Sequence, residues 1–347
     1  METRTEPLLM VRDLKTHFFL DEGTVKAVDG VSLDVRPGEI FGIVGESGCG
    51  KSVTMKAILR IVEPPGRIVS GQILLRRGPE TGPGELVDLA KLDGNGREMR
   101  AIRGAQIALI PQEPMASFSP VHTIGNQIME AILLHRAVDR REARGIALQL
   151  LRDVGIPMPE QRLDDYSWQL SGGLRQRAII AMALSCNPRI LIADEPTTAV
   201  DVTTQAQVLR LLRRLQEERK AAIIFITHDL GVIAQMADHV TVMYLGLVME
   251  QGPVDAIFHA PRHPYTQALL RSIPSMSASP RTSLPTISGS IPHPFHRPRG
   301  CPFHPRCERR MPGTCDTRTP ALRGVDEAQS VSCFLYHDES TEEGVAE

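Results

Sequence analysis

Two spacings of apolar residues run along this chain: short continuous runs of strand length, and longer stretches with helical periodicity. Residues 8–20 (LLMVRDLKTHFFL) and 24–35 (TVKAVDGVSLDV) are rich in strand formers, and Pro37-Gly38-Glu39 reads as the turn after them. Residues 39–44 (EIFGIV) form a short apolar strand ending in a glycine-rich loop, and Lys51 to Ile61 has helical character. IVSGQILL at 68–75 and QIALI at 106–110 predict further strands, with a Gly-, Pro- and Asp-rich loop between Thr81 and Gly96. From Ile124 to about Gly155 the periodicity fits two or three helices. ILIA at 190–193 and AAIIFIT at 221–227 are the unbroken runs of parallel strands buried on both faces, and residues 240–252 read as a closing hairpin. Strands alternating with helices predict an α/β fold with a mostly parallel sheet. Beyond His263 the chain turns rich in Pro, Ser, His and Arg, which places a boundary near residue 260.

Composition narrows the setting. With 42% hydrophobic and 23% charged residues, the 347-residue chain has the make-up of a soluble globular protein. A net charge of -2 gives no global pull toward nucleic acid or anionic lipid. The first residues carry charge and proline without an apolar core, so no secretory signal is expected, and no apolar run approaches the ~18 residues of a membrane span. The expectation is a cytoplasmic protein whose membrane role, if it has one, comes through partners. Of six cysteines, Cys49 and Cys186 stand alone. Cys301, Cys307, Cys315 and Cys333 cluster near the C-terminus, where in a cytosolic chain metal ligation is a better reading than disulfides.

The chemistry concentrates in three motifs. Gly45-Glu46-Ser47-Gly48-Cys49-Gly50-Lys51-Ser52 follows a strand and opens a helix, the context of a P-loop. Its glycines let backbone N–H groups converge on phosphate oxygens, Lys51 reaches the β- and γ-phosphates, and Ser52 ligates Mg²⁺. Ile190 to Glu195 is an apolar strand ending in two acids, of which Asp194 suits the Mg²⁺ shell and Glu195 a base that polarises the attacking water. Leu170-Ser171-Gly172-Gly173 opens a helix, either as a plain N-cap or as a second anion-binding terminus.

LSGG placed after a P-loop and before a DE-ending strand resembles the signature of ABC ATPases, over residues 8 to about 260. The resemblance implies a P-loop NTPase core of ABC ATPase type, with an antiparallel β subdomain, a helical subdomain at about 119–185, and two nucleotide domains pairing head to tail around ATP. It further implies that Gln112 is the Q-loop glutamine touching Mg²⁺ or the water. Asp201, behind Val200, would be the D-loop acid at the dimer interface, and His228 the switch histidine contacting the γ-phosphate. Phe18 would be the aromatic that stacks on adenine, with Phe19 as its rival. Val200 stands where the family more often has leucine.

Three stretches are similar to the peptide-importing branch of the family: PQEPMASFSPVHTIGNQI after Gln112, His263-Pro264-Tyr265-Thr266, and CPFHPRC followed by Cys315 and Cys333. Phe118-Ser119-Pro120 departs from that branch's commoner Leu-Asn-Pro, and Trp168 stands where it usually has histidine. The cysteines are separated by five, seven and seventeen residues, unlike a zinc ribbon. Ligand type alone suits zinc or an iron–sulfur cluster, and the resemblance implies a 4Fe-4S cluster. It also implies a nucleotide-binding domain at 1–260 and a cysteine-bearing extension at 261–347. The implied activity is ATP hydrolysis driving import of di- or oligopeptides, with importers of nickel or sugar and soluble ABC ATPases as alternatives. The implied partners are a paralogous ATPase subunit, two permeases and an extracytoplasmic solute-binding protein, with no nucleic acid, at the cytoplasmic face of the inner membrane.

Overall fold

The computed structural model describes residues 6–78, 84–113, 117–198, 201–273, 287–326 and 328–336. Its strands, in chain order, are β1 (Leu9–Leu20), β2 (Gly23–Val35), β3 (Ile40–Val44), β4 (Gly66–Arg77), β5 (Glu85–Asp88) and β6 (Ile107–Ile110). Then follow β7 (Ile190–Asp194), β8 (Ala222–Ile226), β9 (His239–Tyr244), β10 (Leu247–Pro253), β11 (Arg323–Gly324) and β12 (Ser330–Val331). They form two sheets.

The smaller is antiparallel, in the order β2-β1-β4-β5. The segment expected as a loop from Thr81 to Gly96 contributes β5 to it, followed by a short turn at Leu89–Lys91. Glu85 and Leu86 of β5 are exposed and the strand lies at the sheet edge, so it lacks the apolar run that marks a buried strand.

The larger sheet runs β11-β12-β10-β9-β3-β8-β7-β6. Its centre, β9-β3-β8-β7-β6, is parallel. Every residue of β3 and β8 is buried, as their unbroken apolar sequences require. The β9–β10 hairpin closes it.

Between β6 and β7 lie the helices Ile124–His135, Arg140–Asp153 and Gly172–Ala183. They bury Ile128, Ile132, Ala147, Leu151 and Ile179 in one hydrophobic core that continues under the larger sheet. The helix Val202–Arg219 follows β7, with Leu212 and Leu215 on its buried face.

The described residues past 260 dock on this body. β12 pairs with β10 at Glu250↔Val331, and the buried rings of Tyr265 and Phe303 share a cluster with Tyr244 of β9. The ring centroids lie 4.7 Å (Tyr244–Tyr265), 5.2 Å (Tyr265–Phe303) and 5.5 Å (Tyr244–Phe303) apart, the tilted and edge-on arrangements that ring quadrupoles favour. A segment with little apolar sequence of its own thus borrows the larger domain's core. No helix among the described residues is long and apolar enough to cross a membrane.

Candidate functional site

Sheet order builds the site. β6, β7, β8 and β3 are consecutive parallel neighbours, so the segments leaving their carboxyl ends emerge along one edge. Those segments carry Gln112, then Asp194 and Glu195, then His228, then the loop 45–52. In open parallel sheets this edge is where ligands bind.

The loop after β3 is shaped by its glycines. At Gly50, φ is +102° and a Cβ would stand 2.2 Å from the Ala27 carbonyl oxygen. At Gly45, φ is +151° and a Cβ would meet the Met243 carbonyl oxygen at 2.2 Å. Only glycine lets the loop lie this close to β2 and β9. Buried Lys51 curls back: its Nζ donates to the carbonyls of Gly45 at 2.7 Å and Glu46 at 3.1 Å, with Cys49 Sγ at 3.8 Å. Burial pushes the Cys49 thiol up. The ammonium thus sits inside the ring of the loop, where a polyphosphate would be cradled.

Two oxygens stand ready for a cation. Ser52 Oγ donates to Asp194 Oδ1 at 3.1 Å, and burial raises the Asp194 carboxyl above the usual range. A hydroxyl and a desolvated carboxylate are the hard oxygen donors that Mg²⁺ prefers, so this pair fits that ion.

Glu195 is held through both its backbone and its side chain. Its φ is +47°, its N–H donates to the Ile226 carbonyl at 2.9 Å, and its carbonyl accepts from Thr198 N–H at 3.1 Å. Gln112 Nε2 and Thr198 Oγ1 donate to its Oε2 at 3.0 and 2.9 Å, and His228 Nδ1 stands 3.3 Å from its Oε1. The structure therefore brings Gln112, Glu195 and His228 together, beside Asp194, Ser52 and Lys51.

The other predicted residues lie apart from this group. Ser171 caps the helix Gly172–Ala183 by accepting from Leu174 N–H at 3.4 Å, and Asp201 caps Val202–Arg219 by accepting from Thr204 N–H at 2.9 Å. Both caps are exposed. The two helix starts adjoin, since a Cβ on Gly173 would stand 3.0 Å from Thr204 Cγ2. Two positive helix ends side by side on the surface can receive an anion presented from outside the chain. Val200, and residues 114–116 of the stretch after Gln112, lie outside the described residues. Phe18 is half-buried, its ring edge 2.6 Å from where a Cβ of Gly66 would be. Phe19 is more exposed and has the Arg67 guanidinium 4.3 Å from its ring centroid.

Gln176 belongs with these residues and was not among those predicted. Buried in the helix Gly172–Ala183, it donates from Nε2 to the Pro196 carbonyl at 2.7 Å, tying that helix to the loop after Glu195. A glutamine five residues past Ser171 carries no signal of such a contact in the sequence.

Cys301, Cys307, Cys315 and Cys333 line one narrow, largely apolar cavity with Pro264, Phe334 and Leu335. Cys301 N–H donates to the Cys315 carbonyl at 2.8 Å. Burial pushes three of these thiols up: Cys301 to about 12, Cys333 to about 11, and Cys307 above the ordinary thiol value. Among the described residues, no group of three or more His, Cys, Asp or Glu side chains is arranged to hold a metal ion. The four thiols share a cavity without being drawn into a ligand shell.

The chain is similar to known proteins in sequence and in fold. Residues 28–198 match the ABC transporter family, and residues 249–315 match the oligopeptide/dipeptide transporter C-terminal region. The chain is 46% identical to the dipeptide transport ATP-binding protein DppD of Bacillus subtilis, over 98% of each chain. It is 44% identical to the DppD protein of Escherichia coli, over 96% of this chain and 98% of that one. Among solved structures, the dimeric post-hydrolysis ATP-binding cassette MJ0796, bound to ADP and phosphate, superimposes with a TM-score of 0.61 at 25% identity. It covers 71% of this chain and 98% of that one. The cbiO1 subunit from Clostridium perfringens superimposes with a TM-score of 0.58 at 26% identity, over 74% of this chain and 92% of that one. With its P-loop edge, its paired helix caps and near-full-length identity of this order, the chain belongs to the ATP-binding subunits of the ABC transporter family, in the branch that carries the oligopeptide/dipeptide transporter C-terminal region.

Proposed function

We propose that this chain binds and hydrolyses ATP to power import of di- or oligopeptides through permease subunits. The observation that carries the catalytic half is the grip on Glu195 by Gln112, Thr198 and His228 beside the phosphate loop. The relatives named for dipeptide transport support the solute class.

In this reading residues 45–52 cradle the triphosphate and Lys51 draws charge from the β- and γ-phosphates. Ser52, Asp194 and Gln112 hold Mg²⁺, which neutralises developing charge. Glu195 orients and deprotonates the attacking water, and His228 holds the glutamate and contacts the γ-phosphate. Phe18 stacks on adenine. Ser171, Gly172, Gly173 and Asp201 serve the second nucleotide of a head-to-tail pair with a paralogous ATPase subunit. Their exposure supports a site completed from outside the chain. Two permeases and an extracytoplasmic solute-binding protein complete the assembly at the cytoplasmic face of the inner membrane. Residues 1–260 make up the nucleotide domain and 261–347 the extension.

The shared cavity supports reading Cys301, Cys307, Cys315 and Cys333 as ligands of a 4Fe-4S cluster, with zinc as the alternative. Thiols that burial keeps protonated, as at Cys301, Cys307 and Cys333, hold no charge to draw the group together; a metal that displaces the protons would close the shell. Iron and acid-labile sulfide are expected in anaerobically purified protein. Stoichiometric zinc without sulfide would reject the cluster, and neither metal would reject the site.

The transport reading is tested by reconstituting the assembly in liposomes. ATP hydrolysis should rise when peptide-loaded binding protein is added. Hydrolysis that responds to a nickel- or sugar-loaded protein instead would reject peptide as the solute.

A further inference from the structure

The phosphate loop carries an acid in an awkward place. Glu46 is its second residue, and a carboxylate beside a triphosphate repels it. The structure pairs that acid with the extension: Arg306 Nη1 donates to Glu46 Oε2 at 2.7 Å and Nη2 to Oε1 at 3.1 Å. The fork is held on every side. Nη1 also donates to Tyr244 Oη at 3.2 Å and Nε to the Ser288 carbonyl at 3.1 Å, and the side chain is 5% exposed. Tyr265 Oη, from the same extension, accepts the Glu46 N–H at 3.0 Å. A planar fork meeting both carboxylate oxygens fixes orientation as well as charge.

We infer that Arg306 is a positioning residue of the phosphate loop, cancelling and turning aside the Glu46 carboxylate so that the loop can hold a polyphosphate. The extension then supplies part of the nucleotide site instead of only hanging from it. Arg306 directly precedes Cys307, so the packing of the cysteine cavity and the loop's charge balance share one short segment. A second tie runs alongside. Arg297 pairs with Asp29 at 2.9 Å, Asp29 N–H donates to the Gly246 carbonyl at 2.9 Å, and Gly246 N–H donates to the Cys49 carbonyl at 2.9 Å.

This inference rests on the reading that residues 45–52 bind ATP. It is tested by equilibrium binding of a non-hydrolysable ATP analogue with magnesium to the full-length chain, with thermal melts alongside. Arg306→Gln leaves Glu46 uncancelled and should weaken binding about tenfold, within the range usual for coupling between sites. Glu46→Gln combined with Arg306→Gln removes both charges and should recover most of the lost affinity, although it restores none of the lost packing. A folded Arg306→Gln protein with wild-type affinity would overturn the inference. So would a double variant as weak as the single, which would make the contact structural only. If Arg306→Gln does not fold, Arg306→Lys, which keeps the charge without the fork, should bind several-fold more weakly than wild type; wild-type affinity there would overturn the inference. Wild-type chain that fails to bind the analogue would sink the nucleotide reading itself, an outcome distinct from the others.

Discussion

Glu195 occupies left-handed backbone, a conformation that costs a residue other than glycine of order 1–3 kcal/mol and persists only where its surroundings impose it. Here they do, through the hydrogen bonds to Ile226 and Thr198. The result aims one carboxylate at three polar side chains on the edge where a phosphate would lie. Glu195→Gln keeps the shape and removes the carboxylate proposed as the base. In the assembled complex, turnover should fall at least ~10²-fold while ATP still binds. Near-normal hydrolysis would remove Glu195 from that role. Lys51→Ala acts earlier, because the ammonium inside the loop is gone. Its measured loss should appear in nucleotide affinity, not only in rate.

Strands and helices differ in how openly the chain declares them. β3, β7 and β8 are legible because a strand buried on both faces must be apolar throughout. The loop 45–52 is legible because phosphate binding constrains both glycines and lysine at fixed spacing. β5 is not, since an edge strand with exposed Glu85 and Leu86 looks like the loop around it. Nor is the docking of the extension. Tyr265 and Phe303 carry no periodicity, and Arg306 meets Glu46 across 260 residues of chain. Such contacts are fixed by tertiary packing alone.

Glu250 of β10 illustrates the same docking. Buried, it accepts from Arg262 N–H at 2.6 Å, His263 N–H at 3.0 Å and Gln329 Nε2 at 2.7 Å, so one carboxylate fastens two segments of the extension. Burial raises its carboxyl above the ordinary range. The native state therefore binds a proton that the unfolded chain has released in the window just above ordinary carboxylate values. This contribution is fully present below that window and is lost as pH rises through the raised folded value. Glu250→Gln should flatten that part of the stability–pH curve. It should also cost about 1–3 kcal/mol in chemical denaturation, because an amide cannot accept from all three donors. An unchanged midpoint and slope would show that the carboxylate does not hold the extension.

At the scale of the molecule, the residues assigned to the site fall in two separate places. One is the strand-edge group around Lys51 and Glu195; the other is the exposed pair of helix caps at Ser171 and Asp201. In the proposed head-to-tail pair, these two outward-facing helix ends would be half of a second site, and the partner subunit would supply the other half. Two apolar side chains stand exposed beside those caps in the sequence: Trp168, the chain's one tryptophan, is 62% exposed, and Val202 is 81% exposed. Trp168 stacks on Tyr166 with centroids 5.7 Å apart, and its carbonyl accepts from the Arg175 guanidinium at 3.3 Å. The indole is thereby held on the ridge three residues before Ser171. Closure of the pair around ATP would cover this ridge and move the indole from water into an interface, which shifts its emission to shorter wavelength. The measurement is the difference in emission between complexes carrying wild-type chain and Trp168→Phe chain, before and after ATP with magnesium, so that partner tryptophans cancel. A blue shift confined to the wild-type complex is expected. If cross-linking shows that the pair has closed and the difference spectrum does not move, Trp168 lies outside the seam, and the head-to-tail placement of Ser171 falls with it.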